Sequence, residues 1–470
     1  MERPDAVGES GSAVCGDLVR LQLRIGGGRV RAARFLAFGC GAATAAASAA
    51  CARLQGLPLL AALSLSPEAL DADLGGLGPA RRHGPELVAD ALARALEGWY
   101  SARLGRPGLP LARGRVAVAM SGGVDSAVAA MLLRDAGHDV VGVTMRLWHD
   151  PGAAAAERSC CSPETVRLAR ASAHALGIPH LTLDAAERFR RGVVEEFVAA
   201  YRAGLTPNPC VTCNGDVRFR LLAEAAALVG ASGLASGHYA RLERSGAGRA
   251  VVARAADAGK DQSYMLARLP APLLQRMAFP LGDLRKEVVR RMARAAALPA
   301  ADAVESQEVC FVGVGGYASF LERSGGLSAL AGPIVDAEGR RLGTHGGHWR
   351  YTVGQRRGLG LSGDAAAYVL AVDAARNTVT VGPREALSLR ALRLESPVVH
   401  EELDGAPLEV RVRYRGGALN GRATLGPDGS LEVALGEPVR GVAAAPGQTA
   451  ALYREGRLVA AGTIATHQEG

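Results

Sequence analysis

Apolar and polar positions alternate through Leu18-Val19-Arg20-Leu21-Gln22-Leu23-Arg24-Ile25, the pattern of a strand with one buried face. Gly26-Gly27-Gly28 and a second short run over residues 30–35 complete a predicted hairpin. Alanine-rich segments with helical spacing continue to about Tyr100, and Gly105-Arg106-Pro107-Gly108-Leu109-Pro110 reads as a linker. Beyond it the period changes. Residues 116–120 are apolar, 124–135 are helix-like, 140–145 form a second apolar run, 163–176 are helical, and 181–183 are a short strand. Strand and helix in alternation predict a parallel sheet with helices on both faces. After about Gly313 helices become scarce. Strand-like runs at 369–372, 378–381, 408–414, 431–435 and 452–464 predict a small β-rich connector and then a β-barrel-like domain. The fold class is therefore α/β with β-rich C-terminal units, behind a small α+β unit. The expected divisions are 1–104, a linker at 105–114, an α/β domain at 115–313, a connector at 314–385 and a barrel at 386–470.

A chain of 470 residues, 49% of them hydrophobic, can bury several cores. Its 60 glycines and 23 prolines form no repeat, which excludes collagen-like and low-complexity classes. Lys and Arg exceed Asp and Glu by 54 to 46, a mild basic excess compatible with a nucleic-acid partner or with a solvated basic surface. Lys260 and Lys286 are the only lysines, and neither precedes Ser or Thr, so a Walker-type phosphate loop is excluded. Residues 1–11 lack the apolar core of a signal peptide. Residues 35–52 are uncharged but mostly small, so a packed turn and helix is expected there rather than a membrane span. Eight cysteines without an export signal suggest thiols or metal ligands and a cytoplasmic protein.

The first apolar run of the α/β region leads into Ala119-Met120-Ser121-Gly122-Gly123-Val124-Asp125-Ser126 and then into a helix. Two glycines allow a tight turn, the helix N-terminus adds partial positive charge, and two serine hydroxyls add donors. This predicts a pyrophosphate cradle that needs no lysine, with Asp125 serving as a Mg²⁺ link or a cap.

Ser121-Gly122-Gly123-Val124-Asp125-Ser126 resembles the signature of the PP-loop ATP pyrophosphatases, which adenylate a substrate. Further motifs follow in order: Thr206-Pro207-Asn208-Pro209-Cys210-Val211-Thr212-Cys213-Asn214, Ser236-Gly237-His238-Tyr239, Lys260-Asp261-Gln262-Ser263-Tyr264, Glu305-Ser306-Gln307-Glu308-Val309-Cys310-Phe311 and Tyr351-Thr352-Val353-Gly354-Gln355-Arg356-Arg357-Gly358-Leu359-Gly360. With them, residues 115–467 resemble the tRNA-specific 2-thiouridylases. The resemblance implies a sulfurtransferase that adenylates the C2 oxygen of a wobble uridine and replaces it with sulfur, using ATP and Mg²⁺. It implies ATP contacts at Ala119 to Ser126, Met145 and Gly237, a sulfur-carrying nucleophile at Cys213, and Cys310 as its partner. It implies tRNA contacts at Asn208, Pro209, Cys210, Lys260, Asp261, Gln262, Arg413 and Tyr414. The tRNAs implied are those for lysine, glutamate and glutamine, with a sulfur donor such as a cysteine desulfurase or a sulfur-relay protein, and no membrane. From the residues alone, Arg413 and Arg415 alternate on an expected strand and could track phosphates, or could belong to a solvated strand face.

Position 210 departs from the family, many of whose members carry Asp there. The cysteine creates a Cys-x-x-Cys pair, and Cys310 is a candidate third thiolate. Cys210, Cys213 and Cys310 could hold a 4Fe–4S cluster or a zinc ion, or Cys213 and Cys310 could work as a persulfide–disulfide pair. Cys160 and Cys161 precede a helix and are given no role.

Cys15, Asp17, Cys40 and His83 occur in a pattern that resembles the U-type iron–sulfur scaffolds over about 90 residues, where they imply a zinc or cluster site. The scaffold cysteine expected directly after the histidine is Gly84. Cys51 matches no scaffold position. Two other classes fit parts of the sequence: an iron–sulfur assembly or carrier protein with a nucleotide-gating domain, and a small-molecule adenylating ligase.

Overall fold

The computed structural model describes residues 1–13, 16–148, 162–303, 309–313, 315–361 and 367–465. The expected hairpin pairs Leu18–Gly26 with Arg29–Phe38, and its turn places both Gly27 and Gly28 at positive φ. A third strand, Ala6–Gly11, joins the other edge. Its sequence hides it, because its inward positions are Ala6, Gly8 and Ser10 rather than large apolar residues. The reason is close packing. Helix His83–Ser101 crosses this strand so tightly that a Cβ on Gly8 would lie 2.0 Å from the Ala91 carbonyl oxygen. Helix Gly41–Leu54 follows the sheet, as the small-residue stretch implied. Among the described residues, no helix is long and apolar enough to cross a membrane.

The central sheet has five parallel strands in the order Met277–Ala278, Ala231–Ser236, Ala112–Ala119, Asp139–Arg146 and His180–Asp184. Period-two alternation sends side chains to both faces. Val116 and Val118 pack with helices Val124–Asp135, Pro163–Ala175 and Lys286–Ala295, while Ala117, Val141 and Val143 pack in the layer that contains helix Phe219–Leu228.

The linker is bound rather than free. Leu109 and Ala112 donate backbone hydrogen bonds to Leu228 and Gly230, at 3.4 and 2.8 Å. Helix His83–Ser101 then covers the edge strand His180–Asp184, and its Leu96 and Tyr100 share one core with the sheet. Polar contacts frame this joint: Arg170 with Asp90 at 2.7 Å, Arg146 with Glu97 at 2.6 Å, and the Asp184 N–H donating to Ser101 Oγ at 2.9 Å.

The connector holds helix Gly316–Gly325 and a four-stranded sheet. Six C-terminal strands close into an antiparallel barrel, because Ser388–Val399 pairs with the final strand Arg457–Ile464. Two expectations are corrected here. The run 452–464 is two strands, Thr449–Arg454 and Arg457–Ile464, separated by Glu455 and Gly456 at positive φ. The run 408–414 ends as the strand Leu408–Arg411, so Arg413 and Arg415 do not alternate on a strand; the Gly416 N–H closes a turn on the Arg413 carbonyl.

Two substitutions test the close packing. Gly8→Ala should destabilise the protein by about 3 kcal/mol through overpacking. Gly98→Ala, on the exposed side of the same helix with nothing within 4 Å, should stabilise it by about 0.5–1 kcal/mol. Thermal or denaturant unfolding of both variants measures the opposed signs.

Candidate active site and the N-terminal ligand cluster

The predicted phosphate loop lies at the C-terminal end of the central strand, in the crevice where open α/β sheets bind ligands. Gly122 has φ +76°, and a Cβ there would lie 2.3 Å from the Thr165 carbonyl oxygen. Gly237, which follows the adjacent strand, backs onto the loop with similar closeness: its Cβ would lie 2.7 Å from Asp125 C and Ser126 N. Met120 and Met145 are buried under the loop and on the neighbouring strand. Ser126 Oγ donates to the Gly123 carbonyl at 2.9 Å and accepts from Ser121 N–H at 3.2 Å. That hydroxyl braces the loop instead of facing outward as a spare donor.

A lysine from a distant helix also stands beside the loop. Lys286 Nζ lies 2.7 Å from both carboxylate oxygens of Asp125, and its residue is 7% exposed. Tyr239 OH donates to Asp125 at 2.8 Å. Sequence reasoning missed both side chains as site residues, yet one signal was present: a lysine in the first turn of a helix opposes the helix dipole. Its place needs a local anion, which Asp125 supplies.

This network extends to the next motif. Tyr239 N–H donates to Gln262 Oε1 at 2.9 Å, and Gln262 N–H returns to the Tyr239 carbonyl at 2.8 Å. Asp261 spends its carboxylate on the Ala255 and Ser263 N–H groups and the Ser263 hydroxyl. Its carbonyl accepts from Tyr414 OH at 3.4 Å, so the barrel turn touches the Lys260–Gln262 segment. Lys260 is half-exposed, and Arg413 is exposed.

Asn208 caps the short helix Pro209–Thr212, its Oδ1 accepting from Val211 N–H at 3.3 Å. Cys213 begins a π-helical turn, Cys213–Arg218, a local geometry frequent at functional sites. Cys213 is buried, and Cys210 is half-buried, with burial pushing its thiol pKa up against the opposing effect of Arg218. Cys310 packs beside Phe311, which sits among Trp148, Phe189, Phe197 and Phe320. No disulfide joins Cys213 to Cys310. Among the described residues, Cys210, Cys213 and Cys310 do not form a ligand group as close as that of Asp17, Cys40 and His83.

Three of the four N-terminal candidates, Asp17, Cys40 and His83, converge. His83 Nε2 lies 2.8 Å from Asp17 Oδ2 and 3.3 Å from Cys40 Sγ. Hydrogen bonds from Cys40 and His83 hold the Asp17 carboxyl below its usual range, so the ligand is ionised. Cys15, Cys160 and Cys161 lie outside the described residues. Gly84, where a scaffold would carry another cysteine, is buried; a Cβ there would lie 2.9 Å from the backbone of Ala42 and Ala43. Cys51 is pushed up to about 11 by burial, as expected of an inert packed thiol.

Residues 1–105 match the NifU-like N terminal domain, and 114–314 match the tRNA methyl transferase HUP domain. Residues 318–383 match the tRNA methyl transferase PRC-barrel domain, and 390–464 the Aminomethyltransferase beta-barrel domain. The chain is 45% identical to the "Bifunctional protein NifU/MnmA" of Rubrobacter xylanophilus over 99% of its own length and 95% of that protein. It belongs to the NifU/MnmA family. The MnmA part by itself is similar to the "tRNA-specific 2-thiouridylase MnmA" of Chloroflexus aggregans, at 45% identity over 76% of this chain and 99% of that protein.

Within the NifU-like part, the steric environment of Gly84 generates a test. Gly84→Cys should not restore a scaffold ligand, because the helix Gly41–Leu54 occupies the space. We expect a destabilisation of about 1–3 kcal/mol in thermal unfolding, with no rise in bound metal by elemental analysis.

Proposed function

We infer that this chain is an ATP-dependent tRNA 2-thiouridylase, a sulfurtransferase that acts in the cytoplasm on the wobble uridine of tRNA. The observation that carries the reading is the Asp125–Lys286–Tyr239 network at the glycine loop, joined through Gln262 and Asp261 to a basic barrel turn. A carrier protein with a gating domain has no need of that connection, and a small-molecule ligase has no need of the barrel. The lysine, glutamate and glutamine tRNAs are the proposed substrates.

In this reading the backbone N–H groups from Ala119 to Ser126, with Gly237 and Met145 around them, hold ATP at the C-terminal end of the central strand. Lys286 offsets the Asp125 charge beside the phosphates. Asp125 supplies the oxygens suited to Mg²⁺, which when bound would screen the phosphates. The uracil C2 oxygen attacks the α-phosphorus and pyrophosphate leaves. Sulfur then attacks C2, and AMP departs with the original oxygen. Lys260 and Arg413 are the proposed outward contacts to tRNA, and Asn208, Pro209, Cys210, Asp261, Gln262 and Tyr414 shape the surface between them and Cys213.

For the sulfur carrier we favour a persulfide on Cys213 over a 4Fe–4S cluster on Cys210, Cys213 and Cys310. The persulfide route needs only Cys213 and Cys310 and makes no demand on Cys210, whose thiol is pushed up by burial. Cys310 thiolate would attack Cys213 Sγ as the outer sulfur transfers to C2, leaving a disulfide that a dithiol reductant reopens. The persulfide sulfur would come from a cysteine desulfurase or a relay protein. At the other end of the chain, Asp17, Cys40 and His83 are suited by donor type and spacing to one zinc ion.

The decisive experiment incubates tRNA, ATP, Mg²⁺ and a sulfur donor with the protein and measures 2-thiouridine by mass spectrometry. ATP-dependent formation is expected, and its absence from folded protein with every component present rejects the reading. Lys286→Ala should lower pyrophosphate release by about 100-fold, the scale of losing one preorganised charge-stabilising donor, while tRNA binding in a filter assay is retained. Cys210→Ser should keep most thiolation with no iron in the protein; loss of activity together with about four irons per wild-type chain would establish the cluster instead.

A further inference from the structure

The segment Leu205-Thr206-Pro207 leads directly into the cysteine-bearing helix, yet it is gripped by the C-terminal barrel. Thr206 N–H donates to the Pro446 carbonyl at 2.8 Å. Gln448 Nε2 donates to the Thr206 carbonyl at 3.0 Å and reaches the Pro207 carbonyl at 3.5 Å. Gly447 permits this approach: its φ is +89°, and a Cβ there would lie 3.0 Å from Leu205 Cβ and Thr206 N.

Gln448 is itself anchored. Its carbonyl accepts from Ile464 N–H at 2.7 Å on the closing barrel strand, and its N–H donates to the Ala445 carbonyl at 3.1 Å. The other side of Cys213 is tied to the same place. Asn214 Nδ2 donates to the Met265 carbonyl at 3.0 Å, and the adjacent Tyr264 OH donates to the Thr449 carbonyl at 2.6 Å. Thus Gln448 holds the backbone before the buried thiol, and the Thr449 carbonyl reaches its other side through the Tyr264 hydroxyl, Met265 and the Asn214 side chain.

We propose that Gln448 is a positioning residue for Cys213, through which the barrel fixes the sulfur-transfer segment without taking part in nucleotide chemistry. The proposal deepens the reading of Cys213 as sulfur carrier and rests on it. The amide touches no phosphate-loop residue among its hydrogen bonds, so its loss should separate the two half-reactions. A generally structural role would instead reduce them together.

The test uses full-length protein whose persulfide has been loaded by a cysteine desulfurase with cysteine. Under single-turnover conditions with tRNA and ATP, pyrophosphate and 2-thiouridine are measured in the same reaction. Gln448→Glu keeps the shape but turns an acceptor toward two carbonyls; Gln448→Met keeps the length and removes the donor, and carries the test if the charged variant does not fold. Expected is a pyrophosphate burst within about twofold of wild type and a thiouridine-to-pyrophosphate ratio lowered by about 100-fold, the scale of a displaced reacting group. A wild-type ratio overturns the proposal, whether both products persist or both decline. If wild-type protein releases pyrophosphate but makes no thiouridine, or makes neither, the sulfurtransferase reading itself fails and this proposal falls with it.

Discussion

The ammonium of Lys286 within 2.7 Å of both Asp125 oxygens is the constraint around which the nucleotide end of the molecule is arranged. The lysine is nearly excluded from solvent while the Asp125 side chain is 30% exposed, so the buried ammonium depends on Asp125 for its counter-charge. Lysine at a helix start is unfavourable in isolation, and the Asp257 carboxylate compensates by accepting from the Lys286 N–H at 3.0 Å. The pair thereby holds three distant stretches in register: the glycine loop, the start of helix Lys286–Ala295, and the Tyr239 segment. Tyr239 passes the constraint on, since its backbone is bonded in both directions to Gln262.

That arrangement explains why the barrel is part of the site rather than an appendage. The hairpin of Arg241–Arg244 and Ala250–Ala253 leaves the α/β domain and extends the barrel sheet through Ala253 and Arg457. Arg254, next along, stacks over Tyr453 and pairs with Glu409, while Ser263 Oγ meets Tyr453 OH at 3.2 Å. A continuous sheet and a buried hydroxyl pair resist shear better than exposed contacts. The turn bearing Arg413 consequently has a fixed position relative to the Lys260–Gln262 loop.

Much of this was legible in the sequence, for identifiable reasons. Helix Val124–Asp135 and the parallel strands were readable because apolar runs of strand length bounded by turns leave little choice of period. The motifs marked the loop glycines, whose closeness to Thr165 and Asp125 explains why only glycine fits. What escaped was packing that uses small or polar residues. Strand Ala6–Gly11 has no apolar signature because a helix backbone fills the space where side chains would be. Arg413 and Arg415 mimic strand alternation, but Arg415 adopts φ +57° in a turn that local pattern cannot reveal. Lys286 and Gln448 were invisible as site residues because each acts 161 or 242 positions away from its partner.

The same tight packing accounts for the altered N-terminal module. Helix His83–Ser101 must satisfy two surfaces at once, presenting His83 to Asp17 and Cys40 while burying Leu96 and Tyr100 beside the edge strand of the parallel sheet. A side chain at position 84 would push the start of this helix away from Ala42 and Ala43, and the displacement would travel along a rigid rod toward the joint with Arg146 and Arg170. Glycine at that position therefore favours docking over an additional thiol. The cluster that remains sits on an element already fixed to the catalytic domain, so any ion it holds would brace the helix covering the sheet edge. Any metal affinity would draw on the same helix as domain docking, so strengthening one would strengthen the other.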